Sequence, residues 1–260
     1  KYFMIVNRRC SPYIDSTTEE KRGGRRNIRV KFDANSSEFA NFNNWKITDI
    51  DSNKTVTVFD KRANALLDLG WYNPGQGKLY KVAPVMQEGG TLVCDEYINT
   101  NFTCNGMVYG NGHNITINQG KTISFSENAG INMEGGCFVS GINADNVYTV
   151  TLQGIGGTNK WRSITLNGCD SIGIYNTTIF SIDFINLYSF SLINSYKADF
   201  RMCNLYTNNN TGLIQAVYSS SSEIPAILKI RESNFYMENC GYPAINVISN
   251  ASASIPLIAE

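Results

Sequence analysis

From Ile164 to Asn194 the chain reads ITLNGCDSIGIYNTTIFSIDFINLYSFSLIN, apolar and polar residues in alternation with no turn signal at its middle. A half-buried strand uses roughly four to eight alternating residues, and a hairpin would place an Asn-Gly or similar pair between its halves. The alternation also returns in phase. Ile164, Ile182 and Phe200 are evenly spaced, and Leu166, Phe184 and Met202 repeat the spacing. The same interval separates Ile172 from Phe190, Ile174 from Leu192, Asn176 from Asn194, and Asn186 from Asn204. A repeat of about 18–20 residues made only of short strands predicts coils stacked on one another.

That texture begins at Gly89 and runs through a series of short strand patterns separated by turns, from GGTLVCDEYI to AINVIS, none with the helical period. At about 18–22 residues per coil it predicts on the order of eight coils. One residue type would recur every six positions in a left-handed β-helix. Positions 164, 170, 176, 182, 188 and 194 are Ile, Asp, Asn, Ile, Tyr and Asn, so the less regular right-handed parallel β-helix fits better. Residues 1–80 lack the repeat. They contain strand patterns at 27–32, 45–50 and 55–60, a helix pattern over Lys61–Leu69 stopped by Gly70, and a turn in WYNPGQGK, which places a boundary near 85.

Composition agrees. Charged residues are 17%, below the roughly 25% usual in soluble domains. Asn takes the polar role with 32 copies beside 22 Gly, two residues that tolerate the left-handed angles of tight turns. Net charge is zero, which gives no general reason to bind nucleic acid or acidic membranes. No apolar run approaches the roughly 18–20 residues of a membrane span, and KYFMIV is too short for a signal-peptide core. The seven cysteines are scattered without CxxC spacing beside a single His, so they read as buried free thiols and not as a zinc site.

GGTLVCDEYI, VYGNGHNITI and KTISFSENAGI, in that order, resemble the first coils of the pectate-lyase-like right-handed β-helix superfamily. There a Gly-Gly-Thr-hydrophobic strand is followed by a Gly-Asn-Gly-His/Asn-hydrophobic strand and stacked Asn turns. The resemblance covers roughly residues 85–250. It implies an all-β chain, a parallel β-helix over 86–260 preceded by a small, mainly β domain over 1–85. Bacteriophage tailspikes, fibres and other virion proteins are similar in this two-part layout, which would make 1–85 an attachment domain. Asn176/Asn194 and Asn186/Asn204 then read as turn ladders, in which stacked amides bond from coil to coil.

Candidate chemistry is sparse. His113, the only histidine, falls in the GNGH turn and reads as structural. Paired aspartates, Gly-His-Gly and Arg-Ile-Lys, carried by polygalacturonase-type enzymes of this fold, are absent. Lyase-type sites use Ca²⁺ held by aspartates and an Arg or Lys that takes the proton α to a uronate carboxylate. Asp170, Asp183, Asp199, Lys197 and Arg201 are the groups available, and Asp183 and Arg201, separated by the repeat interval, are the catalytic candidates. The same spacing equally describes a surface ion pair of little worth. Glu232 and Glu238 are a further carboxylate pair on one coil. Tyr188 and Tyr206, again one interval apart, are binding candidates, either as exposed rings in a sugar groove or as an aromatic stack within the coil. Lys21, Arg22, Arg25, Arg26, Arg29 and Lys31 form a basic stretch that reads as an anchor to a partner. Most of the seven N-x-S/T sequons are expected by chance at this content of Asn, Ser and Thr.

The expectation is a virion structural or receptor-binding protein, a bacteriophage tail or fibre component assembled in the host cytoplasm. It would be a homotrimer without cofactor or metal, touching other virion subunits and cell-surface polysaccharide. The apolar SIPLIAE carries no charged cap for the last coil, which is expected either to be continued by further chain or to be covered by another subunit. The alternatives are a polysaccharide-degrading β-helix enzyme, lyase more than hydrolase and then Ca²⁺-dependent, and a secreted bacterial adhesin.

Overall fold

The computed structural model describes residues 1–8, 25–141, 148–155, 160–181, 183–184, 188–195, 197–208, 212–218, 227–249 and 257–259. The chain divides into two compact units, Lys1–Pro84 and Val85–Glu260.

The first unit contains β1 (Tyr2–Val6), β2 (Arg26–Val30), β3 (Asn44–Asp49), β4 (Lys54–Asp60), β5 (Leu67–Tyr72) and β6 (Gly77–Pro84). An antiparallel sheet of order β1-β6-β3-β4 is accompanied by an antiparallel β2–β5 ribbon. Aromatic rings fill the core, with Phe32 stacked on Phe59 at 5.5 Å and Phe39 against Trp45 at 4.5 Å. The helix expected over Lys61–Leu69 is only a 3₁₀ turn, Lys61–Ala63. Asn64, at φ 50°, ends it in the left-handed region. Leu67 and Leu69 are buried on either side of exposed Asp68, so alternation and pairing with β2 draw the segment into a strand. A helical stripe of Ala63, Leu66 and Leu67 is a weak preference beside a ladder of strand hydrogen bonds.

The second unit opens with one helical turn, α1 (Val85–Glu88), whose Val85 and Met86 are fully buried. Thereafter the chain visits three parallel sheets in rotation. Sheet A has seven strands from Gly90–Thr91 to Ile245–Ser249, sheet B seven from Glu96–Ile98 to Leu257–Ala259, and sheet C six from Phe102–Cys104 to Asn234–Glu238. Each strand pairs with its counterpart one circuit earlier and one later, an arrangement compatible with a parallel β-helix. Inward side chains stack into columns: Phe102, Ile123, Leu152, Ile179 and Leu205 follow one another in sheet C, all at most 7% exposed.

The circuits differ in length, and most are longer than the repeat read from the sequence. Gly90 faces Val108 in the shortest, Cys137 faces Ser171 in the longest, and Ile174 faces Phe200 between them. The recurrence seen in sequence has another cause. Asn176 and Asn194 lie at different corners, Asn176 between sheets B and C and Asn194 between sheets A and B, and both adopt positive φ (42° and 49°). These corners need such a residue, and Asn tolerates it at little cost. Gly168, Met202, Glu232 and Asn239 serve the same purpose at other corners. A small polar residue follows each: Cys169, Thr177, Ser195, Cys203, Ser233, Cys240. Its hydroxyl or thiol donates to the carbonyl two positions back, as Ser233 Oγ does to Arg231 at 2.8 Å and Thr177 Oγ1 to Tyr175 at 2.9 Å. The corner groups also bond between circuits: Cys203 Sγ donates to Ile174 O at 3.2 Å, and Cys203 N donates to Ser233 Oγ at 3.1 Å.

Amide ladders are present, in true register. Asn234 Nδ2 donates to Asn204 Oδ1 at 3.0 Å, and Asn118 Nδ2 to Asn99 Oδ1 at 3.1 Å. Asn186 lies outside the described residues. Cys104, Cys169 and Cys203 are buried free thiols, Cys94 is buried, Cys137 and Cys240 are half-buried, and Cys10 is outside the described residues.

Candidate ligand-binding face

The corner between sheets B and C carries ionic, amide and aromatic side chains on successive circuits. On sheet B, Tyr175, Arg201 and Arg231 occupy one outward column on three successive circuits, and Gly173, Asp199 and Lys229 the next. Arg231 Nη2 donates to Asp199 Oδ2 at 2.5 Å, and Arg201 Nε to Glu232 Oε2 at 3.3 Å. Asp199 Oδ1 and Arg231 Nε are also buried, without a hydrogen-bond partner. A side chain at residue 173 would collide with the Tyr175 ring (Cε2 at 2.6 Å from the added Cβ), so Gly173 makes room for that ring to lie across its own strand. Burial, and then the Asp199 charge, raise the Tyr175 phenol above its ordinary value.

Across the corner the outward column of sheet C continues with Phe180, Tyr206 and Tyr236, again in strict register. The rings stack, Phe180 on Tyr206 at 4.9 Å and 16°, Tyr206 on Tyr236 at 4.4 Å and 5°. Phe180 is 43% and Tyr236 48% exposed. Asn204 and Asn234 lie between the ionic column and the rings. One strip therefore combines guanidinium and carboxylate groups, primary amides and aromatic surface. It offers a polymer lying on it multiple donors and acceptors beside an apolar strip.

The sequence candidates fall as follows. Arg201 is in this strip. Asp183 is not its rung neighbour: the strand Asp183–Phe184 pairs with Lys160–Trp161, whereas Arg201 pairs with Tyr175 and Arg231. Tyr206 is the middle ring of the stack, but Tyr188 is on sheet A, 3% exposed. It packs edge-on to Tyr242 at 6.1 Å, over Gly212, where an added Cβ would meet its ring at 2.2 Å. Both equal-interval pairings fail because these circuits are longer than the interval; one circuit before Tyr206 stands Phe180, and one circuit after it Tyr236. Phe180, Tyr236, Tyr175 and Arg231, which the short repeat does not connect, complete the face.

His113 Nδ1 is 3.7 Å from Asp95 Oδ1, and that carboxylate already accepts two bonds from Asn114, at 2.9 and 3.0 Å. This is a ladder of the early circuits, continued by Cys137 N donating to Asn114 Oδ1. Among the described residues no group of three or more His, Cys, Asp and Glu could hold a metal ion, and no helix is long and apolar enough to cross a membrane. No family model, curated protein or solved structure matches this chain.

Proposed function

We propose that the second unit is a right-handed parallel β-helix and that its B–C corner is a glycan-contact face. The chain then serves as a virion structural or receptor-binding protein of the tail-fibre kind, assembled as a homotrimer with other virion subunits. The observation that carries the reading is the strip of arginines, carboxylates, amides and stacked rings on three consecutive circuits. Sugars are bound by such mixtures, hydroxyls taken by planar charged and amide groups while apolar ring faces and edges rest on aromatics. Each carboxylate is engaged by an arginine, Asp199 by Arg231 and Glu232 by Arg201. That favours binding over cleavage.

The test is light scattering for subunit number, with the same sample incubated with a panel of bacterial surface polysaccharides. The expected result is a stable trimer that retains a polysaccharide and releases no new reducing or unsaturated ends. A monomer that releases unsaturated oligosaccharides when Ca²⁺ is added would replace this reading with a lyase.

A further inference from the structure

The β2–β5 ribbon of the first unit has one face on which the β5 side is buried, although Arg26 of β2 is exposed there, and one exposed face. Leu67, Leu69 and Tyr72 of β5 are at most 8% exposed. Asn27 and Arg29 of β2 belong to the opposite face, flanked at the same alternate spacing by Arg25 and Lys31 just outside the strand, and the three bases are exposed. Trp71 pairs with Asn27 and Asp68 with Arg29, and exposed Leu66 immediately precedes β5. A bulge produces this grouping: Ile28 pairs with Gly70 and Arg29 with Asp68, leaving Leu69 as the extra residue. The extra residue lets Asp68 and Trp71 share a face although three positions apart. Gly70 takes φ 86°, and its N–H donates to Asp68 Oδ1 at 2.7 Å.

This face is both basic and apolar. Leu66 and Trp71 are each 57% exposed, and the Arg25 guanidinium lies over the Trp71 ring at 5.9 Å. Asp68 is the one acid on it, engaged by Asn27 Nδ2 at 3.1 Å and Arg29 Nε at 3.9 Å. Arg25, Arg29 and Lys31, in and flanking β2 at even spacing, form a surface of period-two spacing beside the large apolar side chains of Leu66 and Trp71. An extended strand has the same period.

We propose that this face docks an extended segment of a partner protein in which acidic and apolar side chains alternate. Charge complementarity selects the acids, and Leu66 and Trp71 select apolar side chains between them. Trp and Arg are the residue types that most often dominate such contacts. A single-stranded nucleic acid is disfavoured because Trp71 already carries Arg25 and, among the described residues of this face, no second ring continues a stacking series.

The protein contains its own reporter. Of its three tryptophans, Trp45 and Trp161 are 6% and 1% exposed, so Trp71 dominates any change in the emission quenchable by acrylamide. The intact chain is titrated with a decapeptide of alternating Glu and Val, one of alternating Glu and Ser, and a thymidine decanucleotide. The Glu-Val peptide should shift Trp71 emission to the blue and bind roughly tenfold more tightly than either control. Arg25→Glu with Arg29→Glu should abolish the shift while the thermal transition stays in place, and salt at about 0.5 M should weaken it, the charges being exposed and readily screened. Equal affinity for the Glu-Ser peptide, tighter binding of the decanucleotide, or no shift with any probe would each overturn the proposal. If the double variant loses its thermal transition, Lys31→Glu replaces it, with the same expectation.

Discussion

Sheet C offers a comparison within one column. On the early circuits its outward positions are Thr103, Ser124 and Gln153; on the late circuits, in unbroken register, they are Phe180, Tyr206 and Tyr236. The inward column beside them hardly changes character, running Phe102, Ile123, Leu152, Ile179, Leu205. Packing fixes the inside of every circuit alike, because each side chain must fill the space between its neighbours above and below. Nothing in the fold requires the outside to turn from small and polar to aromatic half-way up. The change coincides with the face proposed to contact glycan, and its neighbours on sheet B change too, from Thr116 and Val139 to Asp199 and Lys229.

The first way to break the comparison is to strike the inside. Leu205→Ala should cost about 2–5 kcal/mol in urea unfolding, the range for a buried leucine. Glycan retained by the folded fraction should be unchanged; an equal loss of stability from Tyr206→Ala would erase the inside–outside distinction.

Alkaline pH separates the two in another way. Burial pushes the thiols of Cys104, Cys169 and Cys203 up to about 12 from an ordinary 9.0. The folded chain keeps these protons after the unfolded chain has released its own. Their contribution is complete below about pH 9 and is lost as pH rises toward 12, by up to about 1.4 kcal/mol per pH unit for each group. Cys203→Ser keeps a corner donor and removes the titration, so its unfolding midpoint should fall less steeply than the wild type's over that range. Burial raises Tyr72 as well, which leaves a residual slope. Parallel curves for the two proteins would contradict the assignment.

On the outer face, Arg231→Ala strips Asp199 of its partner, although both side chains keep partial contact with water (29% and 25% exposed). The expected stability loss is about 1 kcal/mol, with a much larger proportional loss of glycan affinity. A variant with undiminished affinity would remove the ionic column from the face. The mildest change extends the aromatic column downward: Gln153→Tyr, beneath Phe180, should alter stability by within about 0.5 kcal/mol and raise glycan retention.

Much of this is legible in the sequence. Alternation over Ile164–Asn194 identifies short strands without helices, and the abundance of Asn identifies tight corners. Register is not legible. Strands of similar pattern follow one another at intervals set by loops of unequal length, so a coincidence of spacing joins Tyr188 to Tyr206 while the true partners of Tyr206, Phe180 and Tyr236, stand at longer and unequal intervals. The corner rule is present as a left-handed residue followed by Cys, Ser or Thr, yet Met202 and Glu232 fill the first position as well as Asn does, which hides it. Over Lys61–Leu69 a helical spacing of leucines conceals a strand whose burial is set by β2, far away in sequence.

The most direct measurement exchanges one half of the column for the other. A protein carrying Phe180→Thr, Tyr206→Ser and Tyr236→Gln, the residues of the early circuits, is compared with wild type on an array of bacterial surface glycans. A folded variant that loses the glycans held by wild type is the predicted result. Wild type that holds none, or a variant that holds them equally well, would contradict the assignment of this face.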